Sequence, residues 1–260
     1  KSPSNGGFAA GNNVGIEASP GAWKYILLLN SDTIVHAGCL RACVEAMDRD
    51  TTIGAYSCRI LNADGSMQNV ARRFPTPMRL VGMSLGLPWK ARVLFEWMDV
   101  EDKNWDRERT TRAVDWIGGA FMILRADLVQ HIGALDERFF FYGEDIEICH
   151  RVWRAGYRVV YDPKGTTTHL GGSSSDPTRM AVRDRSVHVW RGRYMTLRLC
   201  HGLVAERVVR AADVAIFWMR MRWSALTGKG GPERQEHFRE VLRVLTNPLW
   251  PDASSAERSA

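Results

Sequence analysis

Three groups of residues carry the chemistry that this sequence can do. Glu144 and Asp145 follow the aromatic run Phe139-Phe140-Phe141-Tyr142 and Gly143, and they open an amphipathic segment closed by Gly156. Asn30-Ser31-Asp32 directly follows the apolar run Tyr25-Ile26-Leu27-Leu28-Leu29. His169 precedes the small-residue stretch Gly171-Gly172-Ser173. Hard oxygen donors and an imidazole suit a divalent cation, and Mg²⁺ or Mn²⁺ needs few carboxylates where phosphate oxygens and water complete its shell. A separate carboxylate under aromatic cover can take a proton, because burial raises its pKa while a helix N-terminus lowers it. This inventory suits transfer of a group from a diphosphate leaving group to a hydroxyl.

Each group also has a purely structural reading. Asn, Ser and Asp are common turn formers. Acidic residues in a helix's first turn are favoured by the helix dipole. Trp116, beside Gly118 and Gly119, could stack on a sugar or fill the core. Position favours the functional reading of the Asn-Ser-Asp turn, since ligands of α/β sheets bind beyond the carboxyl ends of strands. The Gly/Asn-rich stretch from Asn5 to Asn13, which includes Gly7, Phe8 and Asn12, reads as a loop whose backbone amides could cradle phosphate or a ribose. It matches neither the dinucleotide nor the Walker pattern.

The elements that must position these groups alternate. Strands are expected at 23–29, 53–60, 119–124 and 157–161, the last ended by Asp162-Pro163, and helices at 37–49, 126–132 and 144–155. The pattern predicts an α/β layered domain over 1–177. Residues 72–113, rich in Pro, Gly and mixed charge, read as an excursion over its surface. Beyond Asp176-Pro177 the sequence predicts a helical extension, 178–260: Arg-rich helices at 179–200 and 203–224, a glycine break at 228–232, a helix at 233–245 and a polar tail. The net charge of +6 belongs to that extension, because residues 179–222 hold ten Arg and three acids while the remainder is nearly neutral. Arg and Trp together suit an anionic membrane surface, and a solvated bundle packed on the catalytic domain is the other reading. No recognised nucleic-acid module accompanies the charge, so nucleic acid is not expected as a partner. Five scattered cysteines without CxxC spacing fit a reducing compartment, here the cytoplasm. No stretch is long and uncharged enough for a transmembrane helix. Lys1 rather than Met opens the sequence, so a start inside a larger protein is expected.

The combination resembles the inverting family 2 glycosyltransferases of the GT-A fold, and most of all their rhamnosyltransferase-like branch in bacterial cell-surface polysaccharide synthesis. The residues that carry it are Asn5–Asn13, Leu28–Thr33, Gly118–Arg125, Leu135–Phe139, Tyr142–Asp145, Arg154–Tyr157 and His169–Gly172, in family order. The resemblance implies a GT-A-like mixed sheet flanked by helices, without its amino-terminal nucleotide-binding part and followed by the helical region. It implies Mn²⁺ or Mg²⁺ on Asp32 and His169, with Asn30 where a first Asp often stands. Asp145 matches the general base, with Glu144 supporting it. Asn5, Gly7, Phe8, Asn12, Asn13 and Ser31 would face a nucleotide-diphosphate sugar, with rhamnose the candidate sugar. Trp116, Gly118, Gly119 and Tyr142 would face a glycan or polyprenyl-linked acceptor at the inner face of the cell membrane. The alternatives left open are a catalytically incompetent fragment that binds a glycan or a membrane, and a nucleotidyltransferase of related fold.

Overall fold

The apolar runs of the sequence become a six-stranded mixed sheet in the computed structural model, which describes residues 5–19, 21–87, 92–102, 105–171 and 182–246. In chain order the elements are α1 (Gly7–Ala18), β1 (Tyr25–Leu29), β2 (Thr33–Val35), α2 (Cys39–Arg49) and β3 (Ile53–Leu61). Then come β4 (Ala71–Arg72), α3 (Pro77–Leu85), α4 (Arg92–Phe95), β5 (Arg112–Ala113), β6 (Trp116–Ile117) and β7 (Phe121–Arg125). The chain continues with α5 (Ala126–Ile132), α6 (Glu144–Arg154), β8 (Arg158–His169), α7 (Val182–Thr227) and α8 (Gly231–Leu245).

The sheet order is β1-β7-β3-β8-β2, with β5 added to β8. Only the central β3–β8 pair is parallel; β1, β2, β5 and the β3–β7 pair are antiparallel. β4 and β6 form a separate ribbon, with Arg72 opposite Trp116. β1 ends the sheet, and among the described residues no strand pairs with its other edge. Beneath the sheet lies one apolar core, in which Met47, Ile60, Ile117, Phe121, Ile148 and Val152 are wholly excluded from solvent.

Two expectations are corrected. Residues 5–13 are not a loop: α1 runs from Gly7, and its polar side chains find tertiary partners that replace turn formation. The Asn13 side chain donates to the carbonyl of Leu135 and accepts from its N–H at 2.8 and 3.0 Å, and the Phe8 N–H donates to Phe140 C=O at 3.0 Å. The final strand does not stop at Asp162-Pro163. A register shift between Cys58 and Arg59 absorbs the proline, and β8 continues to His169. A bulge is one of the few places where a ladder tolerates a residue without an N–H. The expected α5 and α6 appear at nearly the expected bounds. Gly133 and Gly156, both at positive φ, stand just past their ends.

The C-terminal helices pack as a second core. α7 kinks at Gly202 (φ 87°), so its two limbs fold back on each other with α8 alongside. Leu80 of α3 joins Tyr194, Leu197, Val209, Phe217 and Phe238 there. The expected division at 177/178, the start of the first long helix and the polar tail lie outside the described residues. A buried polar tie joins the limbs. Asp213 is fully buried and accepts from Tyr194 Oη at 2.6 Å and from Arg193 Nη2 at 3.1 Å. Arg193 Nη2 also reaches Leu80 C=O and Ser84 Oγ at 3.0 Å. Removing one member of such a pair strands a buried charge. Asp213→Ala should therefore cost about 3–5 kcal/mol in denaturant unfolding, whereas exposed Arg239→Ala should change stability by less than about 0.5 kcal/mol.

Candidate active site

The pairing of β2 with β8 sets Thr33 opposite His169, and the Leu170 N–H donates to Asp32 C=O at 2.8 Å. At the far side of the same turn, the Asn30 N–H donates to Ala120 C=O at 3.1 Å. Sheet register thus gathers the Asn-Ser-Asp turn, the start of β7 and the end of β8 at one edge.

There His169 Nε2 stands 3.2 Å from Asp32 Oδ1 and 3.1 Å from Asn30 Nδ2, while Nδ1 stands 3.1 Å from Gln68 Oε1. The Gln68 amide oxygen can accept from Nδ1 and the Asn30 amide nitrogen can donate to Nε2, a pairing that suits the imidazole tautomer with its proton on Nδ1. Asp32 Oδ1 is buried beside the imidazole with no hydrogen-bond partner. A hard divalent cation fits this donor chemistry, and Gln68 is the outer partner that fixes the imidazole. Among the described residues no cluster of three or more His, Cys, Asp or Glu forms. A cation here would therefore draw most of its shell from water and ligand oxygens.

The second pole is the start of α6. Tyr142 (φ 71°) and Gly143 (φ 109°) are both left-handed, which turns the chain sharply into the helix. For Tyr142 that conformation costs roughly 1–2 kcal/mol, so packing must hold it. It does: a Cβ on Gly192 of α7 would lie 2.0 Å from Tyr142 C=O, and one on Gly143 would lie 2.8 Å from Thr196 Oγ1. Phe140 stacks on His188 of α7, with centroids 4.8 Å apart.

The turn delivers two carboxyl groups with different environments. Glu144 is buried, and its pKa is pushed up to about 8 by burial and then by the charge of Asp145. Its Oε2 has no donor or acceptor within reach. Asp145 is half-buried on the cleft wall and accepts from the Ile146 N–H at 2.8 Å. Burial raises its pKa too, opposed by the Ile146 N–H and by the nearby Arg72 guanidinium. Near neutral pH the pair thus holds a neutral Glu144 beside a carboxyl group balanced between burial and Arg72.

Both poles line one cleft of about 660 Å³. Of the expected donor residues only Phe8 lines it, and a Cβ on Gly119 would touch the Phe8 ring at 3.2 Å. Asn5 bonds the Gly7 N–H, and Gly7 packs against the Phe140 carbonyl. Asn12 faces a groove between α1 and β1, Asn13 is consumed by the Leu135 segment, and Ser31 is exposed away from the cleft. The expected acceptor residues Trp116, Gly118, Gly119 and Tyr142 all line it. Sequence reasoning missed Gln68, Asn69, Arg72 and Arg193, and no spacing signal marks them. Arg72 lies over the Trp116 ring at 5.3 Å, and both amide atoms of Asn69 are buried without partners. The rest of the small-residue stretch after Gly171 lies outside the described residues.

The raised Glu144 pKa has a thermodynamic sign. Folding must protonate this group, so its contribution to stability is most favourable below the ordinary carboxylate range and is lost as pH rises through about 8. Glu144→Gln should melt higher than the parent chain at pH 8.5, with the gap closing toward pH 5. A gap independent of pH would contradict the assignment.

The model for glycosyl transferase family group 2 matches residues 25–226. An N-acetylglucosaminyl-diphospho-decaprenol L-rhamnosyltransferase of Mycobacterium tuberculosis is 27% identical over 190 residues, covering 69% of this chain and 59% of the relative. A low-salt glycan biosynthesis hexosyltransferase of Haloferax volcanii is 29% identical, covering 60% of this chain and 46% of the relative. A rhamnosyltransferase of Escherichia coli is 26% identical, covering 63% and 60%. The chain therefore spans about 59% of the length of the Mycobacterium relative. Two solved structures overlay loosely. GalNAc-T7 with UDP, GalNAc and Mn²⁺ gives a TM-score of 0.47 at 14% identity, covering 92% of this chain and 42% of that one. A Pyrobaculum calidifontis mannosyltransferase with GDP-Man and Mn²⁺ gives 0.43 at 14% identity, covering 93% and 66%. Neither likeness is close enough to transfer a residue's role. The family match runs through both poles of the cleft and into the second limb of α7, and on it the chain belongs to glycosyl transferase family group 2.

Proposed function

We propose that this chain is the catalytic part of an inverting glycosyltransferase that moves a sugar from a nucleoside-diphosphate donor to a hydroxyl. The observation that carries the reading is the opening of two unlike poles onto one cleft: the Asp32–His169 pair and the Glu144–Asp145 carboxyls. Asp32 and His169 would hold Mn²⁺ or Mg²⁺ with Asn30 beside them, and Gln68 would orient the imidazole through Nδ1. When bound, the cation supplies neutralisation of charge on the departing diphosphate. Asp145 Oδ2 takes the proton of the acceptor hydroxyl as it attacks the anomeric carbon opposite the leaving group. The Arg72 charge favours the ionised base, and neutral Glu144 keeps a second negative charge out of the pocket. Trp116, buried beneath Arg72, lines the acceptor side with Gly118, Gly119 and Tyr142, and Phe8 closes the donor side.

Two relatives are rhamnosyltransferases by name, and one is named for a decaprenyl diphosphate-linked acceptor. They support rhamnose as the sugar and a lipid-linked glycan as the acceptor, and synthesis of a cell-surface polysaccharide at the inner face of the membrane is part of the same proposal. A second reading, a module that binds glycan without turnover, has one observation in its favour: five of the six expected donor residues lie away from the cleft.

In the full-length protein, Asp145→Asn should lower turnover by roughly a hundred- to ten-thousand-fold while donor affinity stays unchanged. Near-normal turnover would remove the base assignment. For the chain itself, melting in Mn²⁺ with dTDP, UDP or GDP separates the two readings. A nucleotide at a hundred times its Kd should stabilise by about 2.7 kcal/mol, and Asp32→Ala should abolish the shift. No shift with any nucleotide would favour the non-catalytic module.

A further inference from the structure

The outward face of α7 beyond Gly202 has no partner within the described residues and a composition that selects one. Val204, Val208, Ala211, Ala215, Trp218 and Arg222 are all exposed and follow one another by three or four residues, the spacing of a single helical face. Trp218 is 53% exposed, and Trp223 and Leu226, beside the end of this stripe, are 65% and 79% exposed. Solvent alone does not account for two open tryptophans on a continuous apolar stripe roughly 35 Å long.

Charge narrows the choice of partner. Glu206 and Asp213 are the acidic residues of this limb, and both are buried. Asp213 is tied to Tyr194 and Arg193, and Glu206 lies 3.9 Å from Arg210. The exposed charges that remain on the limb are Arg207 and Arg222, and the Arg222 guanidinium sits 5.8 Å over the Trp218 ring. A second copy would set this acid-free cationic face against itself. An anionic surface complements it, and Trp and Arg both suit the depth of a lipid headgroup, the ring at the interface and the stem along the apolar stripe. No described helix is long and apolar enough to cross a bilayer, so such a helix would lie in the surface.

We infer that residues 203–227 dock flat on an anionic lipid bilayer through the Val204–Trp218–Leu226 face, with Arg207 and Arg222 on the headgroups. This deepens the proposed function by giving a lipid-linked acceptor a route to the cleft, because the first limb of the same helix lines that cleft through Val189, Gly192 and Arg193. The docking itself is independent of turnover.

The test is co-sedimentation of the full chain with vesicles of phosphatidylcholine alone or with 30% (~0.3 mole fraction) phosphatidylglycerol, without donor or acceptor. Binding should require phosphatidylglycerol and weaken in high salt. Arg207→Gln with Arg222→Gln should weaken it roughly tenfold or more, and Trp218→Ser with Trp223→Ser comparably, with melting temperatures unchanged. Absence of binding, equal binding to neutral vesicles, or binding indifferent to these variants would overturn the inference. So would sedimentation equilibrium showing a dimer that Trp218→Ser dissolves, since the face would then belong to a second copy. Loss of turnover with vesicle binding intact would count against the catalytic reading and leave the docking in place.

Discussion

The left-handed turn at Tyr142-Gly143 is the constraint on which the site depends. It places both carboxyls at the first turn of α6, and it survives because α7 leaves room for it. Gly192 lets the Tyr142 carbonyl approach its helix backbone, and Thr196 lies against Gly143. The Arg-rich helices are therefore a wall of the cleft and a brace for its strained turn. Their anchorage by Asp213 and Arg193 reaches α3 as well, so the second core and the catalytic edge are mechanically one piece.

The cleft also holds unmet polar demand. Asp32 Oδ1, Glu144 Oε2 and both Asn69 amide atoms are buried without partners in a fold that satisfies most of its other buried groups. Such atoms cost stability in the absence of a ligand, roughly 1–3 kcal/mol each. A ligand rich in hydroxyl and phosphate oxygens recovers that cost, whereas an apolar one does not. Preorganisation of this kind favours polar ligands over apolar molecules of equal volume.

Much of this was legible in the sequence because local and tertiary preferences agreed. The apolar runs at 25–29, 53–61 and 121–125 were strands, and α5 ended at the glycine that marked it. The Asn-Ser-Asp turn fell at a strand end, and the acidic pair opened a helix. Legibility failed where long-range contacts outweighed composition. Asn13 spends its amide on Leu135, so a turn-like stretch became α1. Pro163 sits in a bulge that no local pattern announces, and the strand continued past it to deliver His169. Arg72 reaches the site on the β4–β6 ribbon, at the start of an excursion whose sequence shows no period, and Gln68 reaches it from the segment just before β4.

The bare edge of β1 has a further consequence. Its outer N–H and C=O groups lack a β-ladder among the described residues, and Leu29 beside them is 38% exposed. An uncovered strand of this kind is a template for any extended chain, including its own duplicate. Edge-to-edge pairing at β1 is thus the contact by which the isolated polypeptide would aggregate in concentrated solution, a route separate from anything α7 does. A charged residue in place of Leu29 would blunt that edge without touching the cleft.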